Sequence, residues 1–290
     1  MKEEGIMNEA IELSAKQKFL LAFGNQDYYF DSDFSKKARE AANKNLVSLE
    51  FPTSKTEYWK YTRTNRLVRG EYKVQPLEDF KPSYNLPEAT RIVLVNGYVN
   101  EKLSRFNETE ILAVSLSHAK EKHPDLAQKW FGRNSFEKEI FANINTAYHQ
   151  DGAFIYIPKN IAAKGTIHII SIVSGKNVIA QVKNILVAEQ GSNSKVVFRE
   201  ISEDAEGCFS NSVTEVFTEE NAFMELNKVQ EMENGNFQIG TEQIAMESNS
   251  NFKINTFTKT GEWVRNNLNF ELNGENIETW LNGLYMLDGN

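Results

Sequence analysis

Four histidines and one cysteine are the residues best suited to bind or transform something in these 290 amino acids. A metal centre needs two or more converging ligands. His118 and His123 stand five apart, which takes them off a single helical face, and His149 and His168 fall in separate segments. Structural or solvent-facing roles are therefore expected for all four, and no metal. Cys208 lies in SEDAEGCFSNS, where neighbouring carboxylates raise a thiol pKa and weaken the nucleophile. A bystander thiol is expected, and one cysteine falls short of the roughly four that iron–sulfur clusters take. Acid–base pairs are equally sparse beyond residue 150. Asp151, Asp204 and Asp288 are scattered, and the nearest carboxylate pairs are Glu200 with Glu203 and Glu219 with Glu220. Adjacent strand residues point to opposite faces, so Glu219 and Glu220 need not meet. No G-x-x-x-x-G-K-[ST] phosphate loop occurs. In EYWKYT, Tyr58, Trp59 and Tyr61 could grip a ligand, but such clusters commonly bolt a short helix to a core. These residue types predict a chain that binds rather than reacts, and no enzyme.

The elements that must position these residues change character midway. Residues 1–150 carry 22 basic against 21 acidic residues, while 151–290 carry 10 against 19. The acidic second part repels a phosphate backbone, so nucleic acid is not an expected partner. No apolar run reaches the roughly 20 residues of a membrane span, and the acidic, amphipathic start is unlike a signal peptide. Together with the single cysteine, this predicts a protein of the reducing cytoplasm.

Residues 1–150 read as a mostly helical domain. Ile6, Ala10, Leu13, Phe19, Leu20 and Phe23 recur at helical spacing, as do Phe34, Ala38, Ala41 and Leu46 behind an N-cap at Asp31, Ser32 or Asp33. Ser54 and Glu57 stand at capping-box spacing and predict a short helix. Helical text resumes in SLSHAKEKHPDLAQKWF and again in NSFEKEIFANINTAY, where Asn134 caps an apolar face of Phe136, Ile140, Phe141, Ile144 and Tyr148. One hairpin interrupts them at residues 91–100, signalled by Asn96-Gly97 between β-branched runs.

From residue 151 the period becomes two and stays so. Four stretches share one layout: a strand end, a polar anchor, small polar residues and a new strand. The anchors are Glu189, Glu219, Glu247 and Asn273, spaced by 30, 28 and 26 residues. Such a period, with one turn signal and two or three strands per repeat, predicts a parallel β-helix; a propeller blade needs ~40 residues. A β-sandwich is the competing architecture, and a polysaccharide-active β-helix or a solenoid assembly or adhesion module are the competing functions. A solenoid cannot bury its own end layers. The helices before residue 150 are expected to cover the first coil, and the last offers an open edge for self-association.

Several of these stretches resemble the SufB/SufD family of iron–sulfur cluster assembly scaffolds, and within it the SufD branch. FPTSKTEYWKYT is similar to that branch's signature, at Pro52, Lys55, Glu57, Trp59, Lys60, Tyr61 and Thr62. VLVNGYVNEKLS, NINTAYHQDGAFIYIPKN and LNGENIETWLNGLYM resemble its following hairpin, its entry to the β-helix and a later coil. The resemblance implies a mainly β protein, with a right-handed parallel β-helix preceded by an α-helical N-terminal domain. It also implies a cytoplasmic scaffold without catalysis of its own, acting with SufB-like and SufC-like partners, the latter an ATPase. The cluster would be handled by the full complex. Family members run on through more coils, and their cluster-handling and partner-binding positions lie there. No functional residue therefore carries over, and residues 151–290 read as a β-helix cut short at its C-terminal end.

Overall fold

In a computed structural model, residues 13–24, 31–133 and 138–286 are described. Ile6, Ala10, Asn134 and Phe136 lie outside them. Strand follows strand in a β-solenoid of about five turns. Its first strands are β1 (Arg91–Val95), β2 (Tyr98–Val99), β3 (Leu112–Ser115) and β4 (Ala153–Ile157). β5 (Ala162–Lys176), β6 (Ile179–Ala188), β7 (Asn193–Glu206), β8 (Phe209–Thr218) and β9 (Phe223–Glu231) follow. β10 (Phe237–Met246), β11 (Asn251–Lys259), β12 (Trp263–Leu272) and β13 (Glu278–Met286) complete it. From β4 onward consecutive strands alternate between two sheets, ordered β13-β11-β9-β7-β5-β1-β2 and β12-β10-β8-β6-β4-β3.

The anchor spacing read from the sequence is the strand register. In the second sheet Ile185 pairs with Glu215, Glu215 with Gln243 and Gln243 with Asn269, offsets of 30, 28 and 26 residues. The anchors themselves turn the corner: Glu219 N donates to Ala188 O at 2.9 Å and Glu247 N to Thr218 O at 2.9 Å. Each corner needs one left-handed residue, and Asn160, Gly191, Asn221, Asn249 and Asn276 supply it in successive turns with φ between 56° and 69° where Asn or Gly sits. Asn and Gly adopt that conformation at least cost. Gly191 has a second reason, because a Cβ there would lie 2.5 Å from Asn160 Oδ1.

The helices do not cover the first coil as expected; they lie along its flank. α1 (Ala15–Leu20), α2 (Asp33–Ser48), α3 (Asn65–Val68), α4 (Leu116–Lys122), α5 (Pro124–Trp130) and α6 (Ile140–Tyr148) pack on the outer face of the second sheet. Trp130 and Phe131 meet Phe154, Ile185, Val187 and Phe217 there, and Phe19, Phe141 and Trp59 meet Phe209 and Ile239. The first coil is closed instead by strands: β2 runs antiparallel to β1 and β3 antiparallel to β4, while β1 joins β5 in parallel. β3 was not anticipated, because its four residues are too short to show a period. Both sheets thus draw strands from either side of residue 150.

Local differences have local causes. The buried face of α2 is Ser35, Arg39, Ala42 and Leu46, with Ala41 exposed. A buried arginine rotated the stripe away from the apolar count. The helix expected at Ser54 is a single 3-10 turn, Glu57–Trp59, without a side-chain cap. Pro124 splits the SLSHAKEKHPDLAQKWF helix into α4 and α5, as its missing N–H and ring require. At the far end of the solenoid, Trp280, Leu281, Leu284, Tyr285 and Met286 of β13 are exposed.

Candidate functional site

The solenoid interior is divided. Ile155, Ile169, Leu186, Val196, Leu226, Ile244, Met246 and Phe252 fill one side with apolar side chains. The other side is polar, and charged at its centre. Lys228 and Glu200 come from the first sheet and Glu242 from the second, so their meeting places all three between the sheets. Lys228 Nζ pairs with Glu242 and lies 3.5 Å from Glu200 Oε2, and all three side chains are buried. Gly240 clears the room, because a Cβ there would collide with the Lys228 ammonium. Gln230, Thr258 and Asn266 extend the lane, with Thr258 Oγ1 donating to Gln230 Oε1 at 2.7 Å and Asn266 Nδ2 at 2.9 Å. Burial works against the Lys228 charge, yet Glu242 and Glu200 hold its pKa above the usual lysine value; burial pushes the Glu242 carboxyl up. An enclosed triad of this kind, one ammonium held between two buried carboxyls, is a fixed electrostatic element rather than an acid–base pair.

A second charged group lies between the second sheet and the helices. Lys183 and Glu215 pair at 2.7 Å, both fully buried, with the ammonium over the Phe131 ring. Arg39 reaches in from α2, donating to Ala147 O at 2.8 Å and to His149 O at 3.0 Å. Arg39 has donors only, so His149 Nε2, 3.2 Å from it, accepts, and Nδ1 carries the proton toward Thr146 O. Burial, then the Arg39, Lys120 and Lys183 charges, hold the His149 imidazole well below its usual pKa. Burial also lowers Lys120 to about 8. Asp151 accepts from Ser117 Oγ at 2.6 Å and Gly152 N at 2.8 Å, although burial raises its pKa. Sequence reasoning missed both groups, because charged residues in strands normally signal the solvent face.

The signature residues form a clasp. Trp59 is buried against Phe141 and Trp263, and the Arg265 guanidinium of β12 lies 3.8 Å from its ring centroid. Arg265 Nη1 donates to Thr62 Oγ1 at 2.9 Å and Nη2 to Tyr58 O at 2.8 Å. Trp59 and Thr62 thus bolt the turn to a coil some 200 residues away. Lys60 stands over the Tyr61 ring, and both tyrosines are exposed, Tyr58 at 86% and Tyr61 at 91%. Glu57 opens the turn and is exposed.

The remaining candidates separate cleanly. Cys208 is buried, its Sγ accepting from Val178 N at 3.3 Å, and desolvation rather than neighbouring acid is the main cause of its raised pKa. Glu200 faces the interior while Glu203 accepts from Ser83 N at 2.6 Å, so the two do not converge. Glu220 accepts from Gln190. His149 and His168 stand apart, but His118 and His123 both meet Glu108, at 3.1 and 3.4 Å. The helix break after Lys122 cancels the helical spacing that separated them.

Comparisons with known proteins agree along the whole described chain. Residues 15–169 match the family model "SufBD protein N-terminal region", and residues 171–290 match "SUF system FeS cluster assembly, SufBD core domain". An iron-sulfur cluster assembly SufBD family protein of Synechocystis is 26% identical over 298 residues, covering 96% of this chain and 64% of that relative. A second Synechocystis protein of the same description is 28% identical over 102 residues, 35% of this chain and 21% of its own length. One from Arabidopsis thaliana is 43% identical over 51 residues, 17% of this chain and 11% of its own. The chain therefore spans less than two thirds of each of these relatives.

Proposed function

The chain belongs to the SufBD family of the SUF iron–sulfur cluster assembly system, and on that premise we propose that it is a SufD-like scaffold subunit. It acts in the cytoplasm with a SufB-like scaffold and a SufC-like ATPase, without catalysis of its own. The observation that carries the reading is the ordered match of both family regions onto one continuous solenoid with its flanking helices. The SufD branch is supported by Trp59, Lys60, Tyr61 and Thr62, the run whose resemblance is most specific, and by the clasp that Trp59 and Thr62 make. A subunit that holds no cluster alone is supported by Cys208 being buried and the one cysteine of the sequence, against the roughly four that clusters take. Among the described residues, no helix is long and apolar enough to cross a membrane.

The polysaccharide reading loses its footing, because the interior carboxylates Glu200 and Glu242 are committed to Lys228 rather than lining a groove. The test is affinity purification of the tagged chain from its source, followed by mass spectrometry of what co-purifies. SufB-like and SufC-like proteins retained through high-salt washing are the expected result. Their absence from the eluate, with the chain folded and abundant, overturns the proposed partnership.

A further inference from the structure

We propose that Glu108, His118 and His123 form a surface site for one divalent transition-metal ion of the zinc class. This stands apart from the scaffold reading and concerns a part of the helical flank that the interior lane does not touch. Among the described residues these three offer one imidazole nitrogen each from the histidines and one carboxylate oxygen, all within 4.8 Å of one another. His118 Nε2 is 3.1 Å and His123 Nε2 3.4 Å from the same oxygen, Glu108 Oε2. Ligands at about 2.0–2.2 Å from a tetrahedral zinc are themselves separated by roughly 3.3–3.5 Å. The 3.4 Å edge has that length and the 3.1 Å edge falls about 0.2 Å short of it. The third is no longer than 4.8 Å, and the His123 ring beside it is partly exposed.

The backbone under each ligand is fixed. The Ser115 hydroxyl caps α4 and accepts from His118 N at 3.1 Å, holding the first histidine in the opening turn. On a continuous helix, residues five apart lie about 140° apart around the axis. Here α4 stops at Lys122, and His123 takes φ −131° and ψ 52° before Pro124 starts α5, which brings the second ring back beside the first. Glu108 follows Asn107, whose backbone pairs with Ala113 and whose Oδ1 accepts from Thr109 N at 3.1 Å. The ring centroids of the two histidines are 6.2 Å apart, and Phe106 buttresses His118 on its other side.

The local chemistry favours a cation. Both imidazole Nε2 atoms converge on one carboxylate oxygen, Glu108 Oε2, and the carboxylate is exposed to solvent ions. The ammonium of Lys122, the residue before His123, is engaged by Glu121 at 2.8 Å. Two imidazoles with one carboxylate suit zinc, cobalt, nickel or ferrous iron, whereas magnesium and calcium prefer all-oxygen sets. Three protein ligands leave a fourth position for solvent or another ligand. A cavity of about 390 Å³, lined in part by Ser115, Ser117, His118 and Glu121, opens beside it.

The test is titration of the chelator-treated chain with zinc by calorimetry, and with cobalt by visible absorption. One equivalent should bind, and cobalt should give the intense d–d bands of a four-coordinate site with nitrogen ligands. His118→Ala, His123→Ala and Glu108→Gln should each weaken binding at least about tenfold, as even outer-shell changes commonly do. His168→Gln, in β5, should leave it unchanged. All four positions are at least partly exposed, and circular dichroism confirms that each variant is folded. If no saturable equivalent binds, or if binding survives loss of both His118 and His123, the site does not exist. The cluster is then only a hydrogen-bonded surface group.

Discussion

A single imidazole shows how burial rather than residue type sets behaviour. His149 closes α6, fully buried, with its ring held between Thr146 O and the Arg39 guanidinium. Its pKa is low because desolvation and three nearby cations all oppose a second proton. The unfolded chain takes up that proton below about pH 6.5, the ordinary histidine value, whereas the folded chain does not. The stabilising contribution of neutral His149 is therefore complete above that pH and is lost as pH falls below it. The penalty of His149→Gln, measured by urea unfolding, should be constant above about pH 7. It should then shrink by about 1.4 kcal/mol per pH unit below about pH 6, the slope for one proton. A gap that stays constant down to pH 5 would show that the imidazole does not titrate as its surroundings require. Residue identity pointed to a structural histidine here; the sign of its pH dependence needed the neighbours.

Within the strands, the alternation of side chains explains why the interior charges are tolerated. Lys228 sits in β9 in a burial pattern that alternates residue by residue, and its inward position is matched across the solenoid by Glu242 of β10. Removing Lys228 leaves two buried carboxyls without their cation, which costs about 3–5 kcal/mol, while replacing all members together is often neutral. Lys228→Met should accordingly lower urea stability by about that amount. Combining it with Glu200→Gln and Glu242→Gln should restore most of the loss. A Lys228→Met chain as stable as the parent would remove the triad from the list of things that hold the coils in register. The element scale is also where the sequence misled most. A Lys or Glu in a strand reads as outward-facing, and only the opposite sheet reveals that its partner lies within the fold.

At the scale of the molecule, exposure is graded along the solenoid. β6 and β8 are buried at every residue, because the inner core covers one face and the helical flank the other. β12 and β13 are mostly partly or fully exposed. Opening free energies follow such differences, with well-covered strands nearest the global value. Hydrogen exchange read by mass spectrometry should leave β6 and β8 peptides protected longest and β13 peptides least. The reverse order would mean that the flanking helices detach before the coils they cover. The clasp from Trp59 to Arg265 ties the flank to β12 and should protect that strand beyond β13.

What the amino-acid order determined by itself was the repeat. Strand alternation, Asn and Gly at each corner and the 30, 28 and 26 residue intervals are local or nearly local properties, so period and register were legible before any coordinate. The family resemblance was legible in the same way, as runs of adjacent residues. Tertiary structure alone decided that the helices lie along the outer face of the second sheet, that Glu200, Lys228 and Glu242 share one interior, and that His118 and His123 meet at Glu108. Each of these depends on segments far apart in sequence, or on a helix ending two residues before a proline. Side-chain periodicity carries no record of what will be packed against it.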